Sequence, residues 1–193
     1  MTDLVAYTEN QSMQDLSLHI MDVAENGVTA GADLIRITIE ENRSADRLTI
    51  TIEDNGRGMA SGFLAQVLDP FVTTRTTRKV GLGLSLFQQA AREAQGDLKV
   101  ESNPGQGTKV SVFMSYSHID RKPMGNMADS ILALIEGNPA VDFVYVHKKD
   151  GREYILDTRD IRLELEEIPI NNPQVIGLIR DNILSGLQEI VSD

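Results

Sequence analysis

The sequence predicts an α+β fold in two layers, a sheet covered by helices on one face, with a small α/β segment after it. Three observations lead there. Residues 34–41 and 47–53 alternate apolar and polar positions and are rich in β-branched side chains, as half-buried strands are. Residues 13–30 and 83–94 instead repeat their apolar positions every three to four residues, the helical period. The order over residues 13–117 is helix, two strands, helices, two strands, which stacks helices on one sheet.

In the first helix Leu16, Ile20 and Val23 form the apolar stripe. His19, Asp22 and Asn26 make a second, polar stripe at offsets of three and seven residues, for which a solvated face is the ordinary explanation. Gly27 and Gly31 weaken and end the helix. Asn42 to Asp46 read as a hairpin loop, and Leu48, Ile50 and Ile52 point to one face of the next strand. That strand runs into Glu53-Asp54-Asn55-Gly56-Arg57-Gly58-Met59, which on its own is a turn. Residues 62–68 are expected as a short helix stopped by Asp69-Pro70, and residues 71–80 as a loop rich in Thr and Arg. The next helix buries Leu84, Phe87, Ala91 and Ala94, and residues 98–101 and 108–115 form the last pair of strands around Asn103-Pro104-Gly105-Gln106-Gly107.

A boundary is expected at residues 118–122, dividing the chain into 1–117 and 118–193. The second part reads as a helix (126–136), a hairpin (141–146 and 152–157), a helical turn (161–166) and a final helix capped by Asn172 with Pro173 in its first turn. Ile176, Ile179, Ile183 and Leu187 form that helix's apolar stripe. It carries no chemical motif and is expected to be a docking or regulatory module.

Composition narrows the function classes. The chain of 193 residues has no Cys, which removes disulfides, thiolate metal sites and thiol nucleophiles and is compatible with a reducing compartment. No run approaches the roughly 18 apolar residues of a membrane span, and the N-terminus lacks the basic start and apolar run of a signal peptide, so a cytoplasmic protein without a membrane partner is expected. Eighteen basic against 29 acidic residues give a net charge of −11, which argues against general nucleic-acid binding. Within this acidic chain Arg75, Arg78 and Lys79 cluster without an intervening acid. Such a cluster is usually a solvated loop, but a positive spot beside glycine-rich backbone is also what a polyphosphate requires.

Four signals thus stand in order: Asp22 with Asn26, Asp54 with Gly56 and Gly58, Phe71 to Leu86, and Gly105-Gln106-Gly107-Thr108. With them residues 13–117 resemble the ATP-binding domain of the GHKL superfamily, which groups gyrase, heat-shock chaperone, histidine kinase and mismatch-repair ATPases. The resemblance implies a Bergerat-type fold and the cofactors ATP and Mg²⁺. It implies that Asp54 accepts a hydrogen bond from the adenine amino group, that Gly56 and Gly58 let backbone approach the nucleotide, and that Thr108 supports the aspartate. Asn26 would complete a Mg²⁺ shell. Gly81, Leu82, Gly83 and Leu84 open a helix whose free N–H groups suit phosphate oxygens. Phe71, Thr74, Arg75, Arg78 and Lys79 would belong to a short lid over the nucleotide.

One departure bears on mechanism. The hydrolytic members carry Glu four residues before the asparagine, and here the catalytic position is Asp22, shorter by one methylene. General-base catalysis is sensitive to reach, so slow hydrolysis at best is expected. His19 is expected to be a bystander. The resemblance leans to a kinase of the histidine-kinase or anti-sigma type. No phosphoacceptor hairpin precedes the domain here, so the γ-phosphoryl would go to a separate protein docking on residues 118–193. A slow ATPase switch and a non-catalytic ATP sensor stand as alternatives, and a homodimer is compatible with any of them.

Overall fold

The computed structural model describes residues 15–64 and 82–192. Helix α1 (Leu16–Thr29) leads into the hairpin of β1 (Leu34–Asn42) and β2 (Arg47–Asp54). The short α2 (Ser61–Leu64) follows, then α3 (Leu82–Glu93) and the hairpin of β3 (Asp97–Asn103) and β4 (Gly107–Ser115). Next come α4 (Met127–Gly137), β5 (Asp142–Lys149), β6 (Arg152–Asp157), α5 (Thr158–Leu165) and α6 (Pro173–Val191). The strands form one sheet in the order β3-β4-β2-β1-β5-β6, antiparallel throughout except for the parallel pair β1 and β5.

Alternation decides the two faces. Ile35, Ile37 and Ile39 of β1, Leu48, Ile50 and Ile52 of β2, and Val110, Val112 and Met114 of β4 all point inward and are buried. Leu16, Ile20, Val23 and Ala24 of α1 and Phe87, Ala91 and Ala94 of the α3 segment close over them. The opposite face carries the half-buried Thr38, Thr49, Thr51 and Ser111, and Arg47 lies over the Phe113 ring, 4.9 Å from its centroid. This is the two-layer α+β sandwich predicted by the periodicities.

The described helices follow the predicted spans to within a few residues. Of the short helix expected at 62–68, the described part is residues 61–64; the rest, with the loop of residues 71–80, lies outside the described residues. Asn172 caps α6 as predicted, its side chain accepting from the Gln174 N–H.

Residues 118–193 extend the same sheet. Ile35 lies opposite Phe143, Ile37 opposite Tyr145 and Ile39 opposite His147, so β5 pairs along nearly all of β1. Without β5, the far side of β1 would present a row of unpaired backbone groups. The core continues without a break from Ile20 and Ile37 to Ile131, Ile176 and Ile183. A buried polar pin joins the two strands. Tyr145 Oη lies 2.8 Å from His147 Nδ1, and His147 Nε2 lies 2.7 Å from Glu41 Oε1. The connecting segment is also fixed: the carbonyls of Pro123 and Met124 accept from the N–H groups of Leu16 and Ser17, the first two residues of α1. Those two helical N–H groups have no partner within the helix, so the segment serves as the α1 cap.

Candidate functional site

Of the predicted residues that are described, Asp54, Gly56, Gly58 and Thr108 lie at or just beyond the end of β2 and the start of β4, where the inner face of the sheet ends. Strand register makes a row across that face: Ser102 opposite Thr108, Thr108 opposite Asp54, and Asp54 opposite Ile35. One step further in, the equivalent row is Val100, Val110, Ile52, Ile37 and Tyr145, which is wholly apolar apart from the tyrosine hydroxyl. Asp54 is therefore a carboxylate placed on the core face at its last position.

Its surroundings are close. Gly27 of α1 sits directly against it, and a Cβ at Gly27 would come within 2.8 Å of the Asp54 Cβ and 3.3 Å of Ile35 Cδ1. The Gly56 N–H donates to Asp54 Oδ1 at 2.9 Å, and the Thr108 N–H also donates to the carboxylate. Burial pushes the Asp54 carboxyl above the usual aspartate range, and these two donors pull it only part of the way back.

The loops on either side of Asp54 are locked together. Gly58 has φ +64° and Gly107 has φ +83°, left-handed values that favour glycine. A Cβ at Gly58 would stand 1.9 Å from the Asn103 carbonyl oxygen, and one at Gly107 would stand 1.8 Å from that of Asp54. The protein's own backbone takes the room these glycines leave. Asn55 ties the end of β2 to the start of β1, its Oδ1 accepting from the N–H groups of Asp33 (3.0 Å) and Leu34 (3.1 Å). Ser102 joins both loops and Thr108: the Met59 N–H donates to its Oγ (2.9 Å), its hydroxyl donates to the Gly107 carbonyl (2.8 Å), and Thr108 Oγ1 is 3.0 Å away.

Along α1, five residues before Gly27, Asp22 reaches a different element. A Cβ on Gly83 would lie 3.4 Å from both the Asp22 Cβ and Oδ2, so this carboxylate stands beside the first turn of α3. At 1.5 Å per residue the two contacts are about 7.5 Å apart along the helix. Asn26 lies between them, and among the described residues its amide has no hydrogen-bond partner. Partial burial raises the Asp22 carboxyl, and the neighbouring His19 offsets this in part. His19 belongs to the interior: it is 6% exposed and stacks on Phe87 with ring centroids 5.2 Å apart. Burial, the largest influence, makes it harder to protonate than an ordinary histidine. The polar stripe read from the sequence is thus divided, with Asp22 and Asn26 on the site and His19 beneath it.

Leu84 is buried in the core and Gly83 half-exposed. Phe71, Thr74, Arg75, Arg78, Lys79 and Gly81 lie outside the described residues, as does the side chain of Leu82. Among the described residues no group of three or more His, Asp or Glu is arranged to hold a metal ion. A cavity of about 660 Å³ lies at the far end of β1, between the two hairpin tips. Two ion pairs line it, Arg43 with Asp150 and Lys148 with Glu153, and none of the predicted residues does.

Three residues of this site carried no functional signal in the sequence. Gly27 read as a helix breaker and Asn55 as a turn residue, while Ser102 fell between the predicted strand at 98–101 and the turn at 103–107. Only the spacing of Ser102 from the Gly105–Thr108 turn could have paired it with Thr108.

Among known proteins, residues 12–118 match the family model described as histidine kinase-, DNA gyrase B-, and HSP90-like ATPase. The chain is 36% identical over 95 residues to the sensor protein kinase FleS of Pseudomonas aeruginosa, an alignment covering 49% of this chain and 23% of that protein. It is 31% identical over 118 residues to the signal transduction histidine-protein kinase AtoS of Escherichia coli, covering 61% of this chain and 18% of that protein. The chain therefore spans less than a quarter of either relative. A crystal structure of the N-terminal domain of a DNA repair protein superposes with a TM-score of 0.53 at 17% identity, over 93% of this chain and 58% of that one. That likeness is one of fold.

Proposed function

The chain belongs to the histidine kinase-, DNA gyrase B-, and HSP90-like ATPase family, and on that premise we propose that it binds Mg²⁺-ATP along α1 and transfers the γ-phosphoryl group to a separate protein. Asp54 accepts from the adenine amino group at one end of the site. The phosphates reach the N-terminus of α3, where the first-turn N–H groups and the positive end of the helix dipole favour anions. Asn26, between these ends, offers its amide oxygen as a ligand to Mg²⁺. With one protein ligand and no carboxylate cluster among the described residues, the ion would arrive with the nucleotide, and bound there it would neutralise phosphate charge. Arg75, Arg78 and Lys79, with Phe71 and Thr74, complete the phosphate side.

Asp22 stands beside α3, where the γ-phosphoryl group would lie, and orients the incoming nucleophile of the partner. In the transfer a bond forms from that nucleophile to the γ-phosphorus, the bond to the β–γ bridging oxygen breaks, and ADP leaves. The observation that carries transfer to a separate protein is the state of the chain's histidines, three in all. His19 is buried against Phe87, both ring nitrogens of His147 are engaged, and His118 Nδ1 accepts from the Asp120 N–H. Residues 118–193 supply the docking surface in this reading, with Leu163 and Leu178 exposed on α5 and α6. Dependence on ATP places the reaction in the cytoplasm.

The test uses the pure protein with γ-labelled ATP and Mg²⁺. Tight binding without label on the chain and without steady phosphate release is the expected result. Steady release that disappears in Asp22→Ala would favour the ATPase switch instead. One observation supports that second reading: the segment after β4 caps α1, so a shift of α1 on nucleotide binding would move residues 118–193 with it.

A further inference from the structure

Adenine selectivity at this site depends on which way the hydroxyl hydrogens point, and the hydrogen-bond inventory around Ser102 settles that. A serine hydroxyl has one hydrogen and two acceptor positions. The Gly107 carbonyl, 2.8 Å from Ser102 Oγ, has no hydrogen to give, so the serine must be the donor in that bond. The Met59 N–H, 2.9 Å away, can only donate and takes one acceptor position. The third neighbour is Thr108 Oγ1 at 3.0 Å. Ser102 has no second hydrogen for it, so the threonine hydroxyl gives its own hydrogen to Ser102.

Thr108 Oγ1 is then left with lone pairs alone. It lies in the same cross-strand row as Asp54, on the face turned to α1. From these contacts we infer that Ser102 is a specificity-determining positioning residue: by drawing off the Thr108 hydrogen it makes the base pocket a set of acceptors, suited to a ligand that presents an amino group and unsuited to one that presents a carbonyl. The 6-amino group of adenine donates, whereas the 6-oxo group of hypoxanthine accepts. With Ser102 intact, neither Asp54 nor Thr108 offers that oxo group a hydrogen.

The inference rests on the ATP site proposed above, and the experiment keeps the two separable. Dissociation constants for Mg²⁺-ATP and Mg²⁺-ITP are measured for the wild-type chain, Ser102→Ala, Ser102→Thr, Thr108→Val and the double variant Ser102→Ala/Thr108→Val. In Ser102→Ala the threonine hydroxyl is released to donate to the oxo group. The preference for ATP over ITP should therefore fall by roughly tenfold, the worth of one hydrogen bond. Ser102→Thr retains a hydroxyl and should restore the preference. In the Thr108→Val background, Ser102→Ala should leave the ATP/ITP ratio where it was.

A Ser102→Ala chain that keeps the wild-type ratio overturns the inference. So does one that shifts the ratio equally with and without the Thr108 hydroxyl, because Ser102 would then not be acting through it. Thermal melting separates loss of fold from loss of selectivity, since Ser102→Ala also leaves the Met59 N–H and the Gly107 carbonyl without their partner. If the wild-type chain binds neither nucleotide, it is the ATP-site reading that fails.

Discussion

Asp54→Asn tests the site where affinity and stability pull in opposite directions. The carboxylate sits on the core face, and burial raises its proton affinity above that of an unfolded aspartate. A carboxyl raised on folding favours the fold below its unfolded pKa, and that contribution is lost as pH rises through the folded value. At neutral pH the ionised Asp54 is thus a net cost to the empty protein. Asparagine removes the cost and can still accept from the Gly56 N–H, which lies 2.9 Å from Oδ1. For the ligand the change is adverse: a charge-assisted hydrogen bond of about 1.5–3 kcal/mol is lost, and an amide N–H₂ turns toward an amino group. ATP affinity should fall about ten- to a hundredfold while the melting temperature at pH 7 stays level or rises. Calorimetric titration with Mg²⁺-ATP and a thermal melt on the same sample give both numbers. Unchanged affinity would remove Asp54 from the base site, and a lower melting temperature with unchanged affinity would make it a purely structural residue.

Other perturbations separate the parts of the molecule. Gly27→Ala gains helix propensity of about 1 kcal/mol but places a methyl 2.8 Å from the Asp54 Cβ. Overpacking of this kind costs about 1–3 kcal/mol, so melting should change little while displacement of Asp54 weakens ATP binding; undiminished affinity would mean that Asp54 need not hold its position. Acidification should weaken ATP binding at a pH above the ordinary aspartate value of about 3.9, because only the ionised carboxylate accepts without competition and burial raises its pKa. Titrations across pH 4 to 7 should show that loss in the wild-type chain and a flatter profile in Asp54→Asn. His147→Ala strips the buried Tyr145 hydroxyl and Glu41 of a partner and should destabilise by about 2 kcal/mol or more without changing ATP affinity, since the pin lies toward the far end of β1 from Asp54; a coupled loss of affinity in a folded variant would contradict that separation.

The parts of this fold legible in the sequence are those whose signal is local. Alternation placed Ile35 to Ile39 and Leu48 to Ile52 on the core face, and a side chain bonding its own helix marked Asn172. The parallel pairing of β1 with β5 was not legible, because it joins residues about a hundred positions apart and neither strand encodes its neighbour. The uninterrupted burial of Phe143 to His147 is the trace it leaves, a strand covered on both faces rather than one. The division at residues 118–122 was read from charge and Pro123, whereas the carbonyls of Pro123 and Met124, immediately after it, cap α1. His19 misled for a similar reason: a polar residue at helical spacing reads as solvent-facing, and only the position of Phe87 makes it an interior ring.

Among the site residues, those read by type and those read by contact divide cleanly. Asp54, Asn26 and Thr108 have chemistry that names itself, whereas Gly27, Asn55 and Ser102 matter through what they touch. This division has an energetic counterpart. Asp54 costs the empty protein stability, and a ligand donor would offset what two backbone N–H groups leave uncompensated. Asn55, Ser102 and Gly107 stabilise the empty protein and hold Asp54 and Thr108 in register as they do so. Substitutions of Asn55, Ser102 or Gly107 should lower affinity and melting temperature together, whereas at Asp54 the two should part company. A strained or desolvated functional group held by a well-bonded frame is expected to behave in this way, and a variant of Ser102 or Asn55 that melts higher while binding ATP less well would show that the frame is not what holds the carboxylate in place.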